Sequence, residues 1–262
     1  MKRFLSVIIS VVLMLSLVAC GNGSKKEEPK KEEKKEKITV FAASSLTEVM
    51  DDLKKEFEKE NKNREIVANF GGSSTLRTQI ESGADFDLFL SADKGHYSKL
   101  NEKSLVNEGK VMAFNEVVLV VNKDNKTINS LEDLTSVEKL VMSAEEVPIG
   151  KYSRKIIDKV DKENKGFKDK VMAKVVSNEA NVKMALNKVK IKEGDATFVY
   201  LTDVTDDVKD SIKEIEIKEN LNEKAEYWMA TNSKKKELGD EFMKFIESEK
   251  GKEIIKKHKF KI

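Results

Sequence analysis

Apolar residues follow two rhythms along this chain, and the rhythms alternate. Short continuous runs read as strands: Ile38–Ala42, Glu65–Phe70, Phe86–Leu90, Lys139–Met142, Val171–Val176, Ala196–Tyr200, Glu214–Ile217 and Tyr227–Ala230. A longer one, Val111–Val121, holds the most apolar stretch after the N-terminal segment and is expected to pass between domains. Between these runs the spacing changes to three and four. Val49, Met50, Leu53 and Phe57 line one helical face, and Val182, Ala185, Leu186 and Val189 line another. Helices are also predicted over Ser74–Glu81, after Ala92, over Lys151–Val160 and through the tail Lys235–Lys257. Gly83 suits a C-terminal cap, Ser45-Leu46-Thr47-Glu48 fits a capping box, and Ser177 with Asn178 suit an N-terminal cap. Such alternation predicts an α/β fold of open, mostly parallel sheets flanked by helices, with sites at the C-terminal ends of strands.

The N-terminus breaks this pattern. Met1-Lys2-Arg3 is followed by an uncharged apolar run, Phe4–Val18, too short for a typical membrane span. It ends in Leu17-Val18-Ala19-Cys20-Gly21, which resembles the lipobox of bacterial lipoproteins. Residues 1–19 are therefore expected to be a signal peptide and Cys20 the lipidated mature N-terminus. Cys20 is the only cysteine, so an intramolecular disulfide is impossible. Lys and Glu dominate the segment up to Lys37, which has no apolar residue after Cys20, so residues 20–37 read as a solvated tether. The expected location is extracytoplasmic, held at the membrane by lipid.

Charge narrows the partners. The chain carries 49 Lys+Arg against 47 Asp+Glu, a net of +2, so nothing predicts a nucleic-acid surface or a polybasic membrane patch. Roughly 225 residues remain from Ile38 on, enough for one large or two smaller α/β units.

The candidate chemistry lies in the strand-to-helix turns. Ala43-Ser44-Ser45, Gly72-Ser73-Ser74, Val147-Pro148-Ile149-Gly150 and Ser177-Asn178 offer hydroxyls or backbone N–H groups and few charges. Helix N-termini attract anions, because their first N–H groups lack partners and the helix dipole is positive there. Any one of these turns alone reads as ordinary capping; a site requires several to converge. Other chemistries find less support. Asp85, Asp87 and Asp93 lack the spacing of a metal loop and read as turn and capping groups. Arg77 reads as part of a solvated helix face. His96 and His258, the only histidines, sit among lysines in helices expected to be exposed. No G-x-S-x-G elbow, dinucleotide fingerprint or P-loop occurs. No catalytic residue and no cofactor is predicted.

Five blocks occur in order: FAASSLTEVM, FGGSSTLRTQIESGADFDLFLSAD, VPIGKY, NVKMAL and FVYLTD. Together they resemble the molybdate-binding proteins of bacterial ABC importers, from about Ile38 to the C-terminus. The resemblance implies a two-lobed, hinged fold of the type II periplasmic-binding-protein kind, with an oxyanion in the cleft. It implies lobe 1 from residues 38–115 plus 226–262 and lobe 2 from residues 116–225. It implies hydroxyl donors at Ser45, Ser73 and Tyr200 and backbone N–H donors at Ile149 and Val182, with Ser44 and Ser74 as possible additional contacts. The implied ligand is molybdate or tungstate and the implied partner a membrane permease; the protein is expected to be a monomer and not an enzyme. Two departures stand out: Ile149 occupies a position often held by alanine, and Trp228 follows Tyr227 where many relatives have proline. Rival readings are a binding protein for sulfate or phosphate, a surface serine hydrolase, and an adhesive or structural lipoprotein.

Overall fold

The computed structural model describes residues 35–262; the signal segment, Cys20 and nearly all of the tether lie outside them. Among the described residues nine strands are joined by pairing, eight along one path and one beside it: β1 (Glu36–Ala43), β2 (Arg64–Gly71), β3 (Leu88–Ser91), β4 (Lys110–Asn122), β5 (Leu140–Ser143), β6 (Val175–Glu179), β7 (Ala196–Tyr200), β8 (Ile212–Ile215) and β9 (Lys224–Thr231). Their order is β2-β1-β3-β9-β4-β7-β5-β6, with β8 also on β4. The pairings are mixed. β1 runs parallel to β2 and β3, and β5 runs parallel to β6 and β7. All pairs made by β4 and β9 are antiparallel.

β4 belongs to both halves of this path. Its residues 110–116 pair with β9, and its residues 117–122 pair with β7 and β8. The run Val117–Val121 is therefore buried on both faces, which explains why it shows no alternation.

The helices are α1 (Thr47–Glu60), α2 (Ser73–Glu81), α3 (Lys94–Glu102), α4 (Pro148–Glu163), α5 (Phe167–Met172), α6 (Val182–Lys190), α7 (Asp206–Lys209), α8 (Lys236–Glu247) and α9 (Glu249–Lys257). Strand periodicity sorts them around β1 and β3. Val40, Ala42, Leu88 and Leu90 point to one face, in a cluster with Phe57 of α1, Phe242 of α8 and Ile255 of α9. Phe41 and Phe89 point to the other face, against Leu76 and Ile80 of α2 and Leu100 of α3. Phe57 meets Phe242 and Phe245 edge-on at 5.1 and 5.5 Å.

Several local expectations change. β1 begins at Glu36, because Glu36 and Lys37 pair with Arg64 and Glu65. Val171 is helical, buried at the end of α5, and the extended segment starts at Val175. Ser177 and Asn178 lie inside β6; the cap of α6 is Asn181, whose side chain accepts from the Met184 N–H. The tail is two helices, broken at Ser248, whose hydroxyl accepts from the Gly251 N–H. His96 is buried rather than exposed, and His258 meets Asp52 at 3.0 Å. Asp93 caps α3 as expected, accepting from the His96 N–H.

Candidate functional site

Four helix starts meet around one cavity. Ala43, Ser44 and Ser45 come from the turn after β1, and Gly71, Gly72 and Ser73 from the turn after β2. Val147, Pro148 and Ile149 open α4, Val182 opens α6, and Ala92 and Tyr200 close the wall. About 200 Å³ of atom-free space, part of it open to solvent, lies among them. No charged side chain lines it. All of Ser45, Ser73, Ile149, Val182 and Tyr200 are thus brought together, with Ser44 beside them. Ser74 is buried but is not part of the lining.

Each turn takes its shape from a local constraint. Residues 44–46 form one turn of 3-10 helix before α1, and no side chain caps it or α1. The expected capping box is absent because the Ser45 hydroxyl lies 2.8 Å from the Tyr227 hydroxyl instead. Ser73 is likewise not a cap: its Oγ accepts from the Ala92 N–H at 3.0 Å. That leaves its own proton free for the cavity. Pro148 occupies the first turn of α4, where its missing N–H costs nothing. Gly150 follows because a Cβ there would sit 2.0 Å from the Ala144 carbonyl oxygen. Gly72 has ordinary extended dihedrals, yet its Cβ would fall 2.3 Å from the carbonyl oxygen of Ala180, between β6 and α6.

Tyr200 carries the clearest chemical signal. It is 1% exposed, and its hydroxyl has no hydrogen-bond partner. A buried hydroxyl without a partner costs about 1–3 kcal/mol, so its occurrence at a cavity points to a ligand oxygen. Burial raises its pKa well above that of a free phenol, so the group keeps its proton and can donate. The Ile149 and Val182 N–H groups lie in the first turns of α4 and α6, where no in-helix acceptor exists. The set is therefore made of neutral donors, reinforced by helix N-termini.

Charges stand one layer out. Lys183 reaches Glu48 of α1 at 2.7 Å and the fully buried Asp203 at 3.1 Å. Burial pulls the Lys183 pKa down, but Asp203 and Glu48 outweigh it and hold the amine charged. Asp203 also accepts from the Tyr200 N–H at 3.1 Å, which anchors the end of β7. Lys151 meets Asp93 at 3.4 Å, and the His96 Nε2 donates to the Glu146 carbonyl at 2.8 Å. Arg77 is paired with Glu81 at 2.6 Å and takes no part in the lining. A wider groove beside Lys235 is a weaker candidate, because that lysine is already paired with Asp85 and Asp87.

Neither histidine lies in the lining beside Ser45 or Ser73, which leaves the hydrolase reading without a base. Among the described residues no group of His, Cys, Asp or Glu is placed to hold a metal ion, and no helix is long and apolar enough to cross a membrane. Residues that the sequence did not single out as part of the site are Ala92, which lines the cavity, and Asn115 and Tyr227, which do not. Tyr227 lies 182 positions from Ser45, and no local signal links the two.

The family model described as bacterial extracellular solute-binding protein matches residues 38–261. The molybdate-binding protein ModA of Escherichia coli is 31% identical over 86% of this chain and 89% of its own length. Its namesake in Haemophilus influenzae is 29% identical over 84% and 87%. Among solved structures, the Azotobacter vinelandii periplasmic molybdate-binding protein superposes with a TM-score of 0.75 at 19% identity, covering 86% of this chain and 99% of that one. The sulfate-binding protein SubI of Mycobacterium tuberculosis superposes with the same score at 16% identity, covering 86% of each, so the fold spans more than one oxyanion. With its α/β architecture of the type II periplasmic-binding-protein kind, the chain belongs to the bacterial extracellular solute-binding proteins.

Proposed function

We propose that this protein captures molybdate, and tungstate with it, outside the cytoplasm and delivers it to the permease of an ABC importer. The observation that carries the reading is the unpartnered, buried Tyr200 hydroxyl at a cavity lined by serines and helix starts, with no charged group in the wall. Molybdate is a full dianion at neutral pH. It has no proton to donate, so a wall of donors satisfies it and a carboxylate would repel it. Phosphate is partly protonated and benefits from a carboxylate acceptor, which this wall lacks. Sulfate has the same charge as molybdate and is smaller, so its exclusion falls to pocket size. In this reading Ser45, Ser73 and Tyr200 donate through hydroxyls and Ile149 and Val182 through backbone N–H groups, with Ser44 at the margin.

The reading includes two lobes, residues 38–115 with 226–262 and residues 116–225. Their crossings fall side by side, where Asn115 pairs with Ala225 and Phe114 with Glu226. Bending at that point would part Gly72 from Ala180 and open the cavity, and a bound anion would favour the closed form. It also includes a lipid anchor on Cys20 and a monomeric protein. No reaction is assigned, in keeping with a family of solute-binding proteins.

The test is calorimetric titration of the soluble part with molybdate, tungstate, sulfate and phosphate. One-to-one binding of the first two, with no heat from the others, is expected. Silence with molybdate and tungstate refutes the assignment, and binding of sulfate or phosphate instead would transfer it to that anion. Labelling with radioactive palmitate in a bacterial host, lost in Cys20→Ala, tests the anchor.

A further inference from the structure

We infer that Tyr227 is a positioning residue that forces the Ser45 hydroxyl to act as a donor toward the anion. The inference rests on the oxyanion reading of the cavity. Tyr227 does not line the cavity; it is fully buried behind it, on β9, with its ring edge-on to Tyr200 at 5.6 Å and to Phe260 at 5.2 Å.

Hydrogen-bond polarity can be traced from the backbone, where it is unambiguous. The Glu116 N–H donates to the Asn115 Oδ1 at 3.0 Å. That assigns the other end of the amide as Nδ2, which has only protons to give. Nδ2 donates to the Thr202 hydroxyl at 2.8 Å and, over a longer 3.5 Å, to the Tyr227 hydroxyl. With its oxygen accepting there, Tyr227 turns its own proton to its remaining partner, the Ser45 Oγ at 2.8 Å. Burial raises the Tyr227 pKa well above the phenolic range, so that proton stays in place. Ser45 accepts from Tyr227 and has its proton left for the cavity.

The same logic operates on Ser73, whose Oγ already accepts from the Ala92 N–H. Two serines that could each accept or donate are thereby committed to donating. A serine oxygen that already accepts from the protein has one lone pair fewer to offer a protonated oxyanion, while its proton remains available to an ionised one. The relay therefore sharpens selection for fully ionised anions. It also ties a ligand hydroxyl to Asn115 and Tyr227, the residues on β4 and β9 where the chain passes between the two halves of the sheet.

A double-mutant cycle tests this with molybdate as the probe. Tyr227→Phe keeps the ring packing and removes only the hydroxyl. It should weaken molybdate binding about fivefold to tenfold, and by less than about twofold when introduced into Ser45→Ala. A structural role for Tyr227 predicts the same factor in both backgrounds, and that result overturns the inference. A second arm needs no ligand. The buried Tyr227 hydroxyl proton should give a slowly exchanging NMR resonance, absent in Tyr227→Phe and shifted in Ser45→Ala. A resonance unmoved by Ser45→Ala overturns the relay. A shifted resonance in a protein that ignores molybdate would sink the molybdate assignment and keep the relay.

Discussion

Tyr200→Phe separates a ligand contact from a structural one, because the two predict opposite signs. The hydroxyl is buried and has no partner within the protein, so its removal breaks no internal bond. Without ligand, the variant should be at least as stable as the wild type, since an unsatisfied buried group costs about 1–3 kcal/mol. With ligand, it loses a hydrogen bond to a charged acceptor, worth about 1.5–3 kcal/mol, or roughly a ten- to 150-fold rise in Kd. At a molybdate concentration 100 times the wild-type Kd, binding adds about 2.7 kcal/mol to wild-type stability. At the same concentration the variant gains only about 0.3–1.4 kcal/mol. For a domain of this size each kcal/mol moves Tm by about 2–4 °C. The expected shift is therefore about 5–11 °C for the wild type and about 1–6 °C for the variant. Differential scanning calorimetry with and without molybdate reads both signs at once. A variant that is destabilised without ligand and binds molybdate at full strength refutes the argument.

Three further outcomes follow from named contacts. Ser73→Ala should weaken binding by roughly ten- to 150-fold in the same titration, because it removes a hydroxyl donor to a charged oxygen; wild-type affinity would remove Ser73 from the site. Gly72→Ala should fold normally, since its dihedrals suit any residue, yet bind at least about tenfold more weakly because its Cβ meets the Ala180 carbonyl. Small-angle scattering that shows the same ligand-induced compaction in this variant as in the wild type would count against closure at that point. His96 tests pH dependence. Burial lowers its pKa below the ordinary 6.5, against opposing pulls from Asp93 and the Glu146 carbonyl. The folded state therefore binds fewer protons there than the unfolded chain, and stability falls as pH drops below about 6.5. Between pH 7 and pH 5, Tm should fall more in the wild type than in His96→Gln, and parallel slopes would exclude this source.

Much of this protein was legible in one dimension. The α/β class follows from alternating strand runs and helical faces, because burial on a sheet or helix imprints its own period on the sequence. Val117–Val121 could be read as a central strand since burial on both faces leaves no polar positions. The turns that hold Ser45, Ser73 and Ile149 could be singled out because strand-to-helix turns have a local grammar; which of their residues to propose as donors, and Val182 at all, came from the family resemblance. What escaped was whatever depends on residues far apart in the chain. Ser45 fits a capping box by spacing, but Tyr227, 182 positions away, takes its hydroxyl. Ser177 and Asn178 look like caps, but pairing with β5 draws them into β6 and leaves the cap to Asn181. His96 sits among lysines in sequence and is buried in space, because α3 turns that one side toward the Glu146 carbonyl. Turn chemistry and periodicity are local and survive in the sequence alone; the convergence of four helix starts, the unpartnered Tyr200 hydroxyl and the polarity of its neighbours arise only when packing brings distant segments within hydrogen-bond reach.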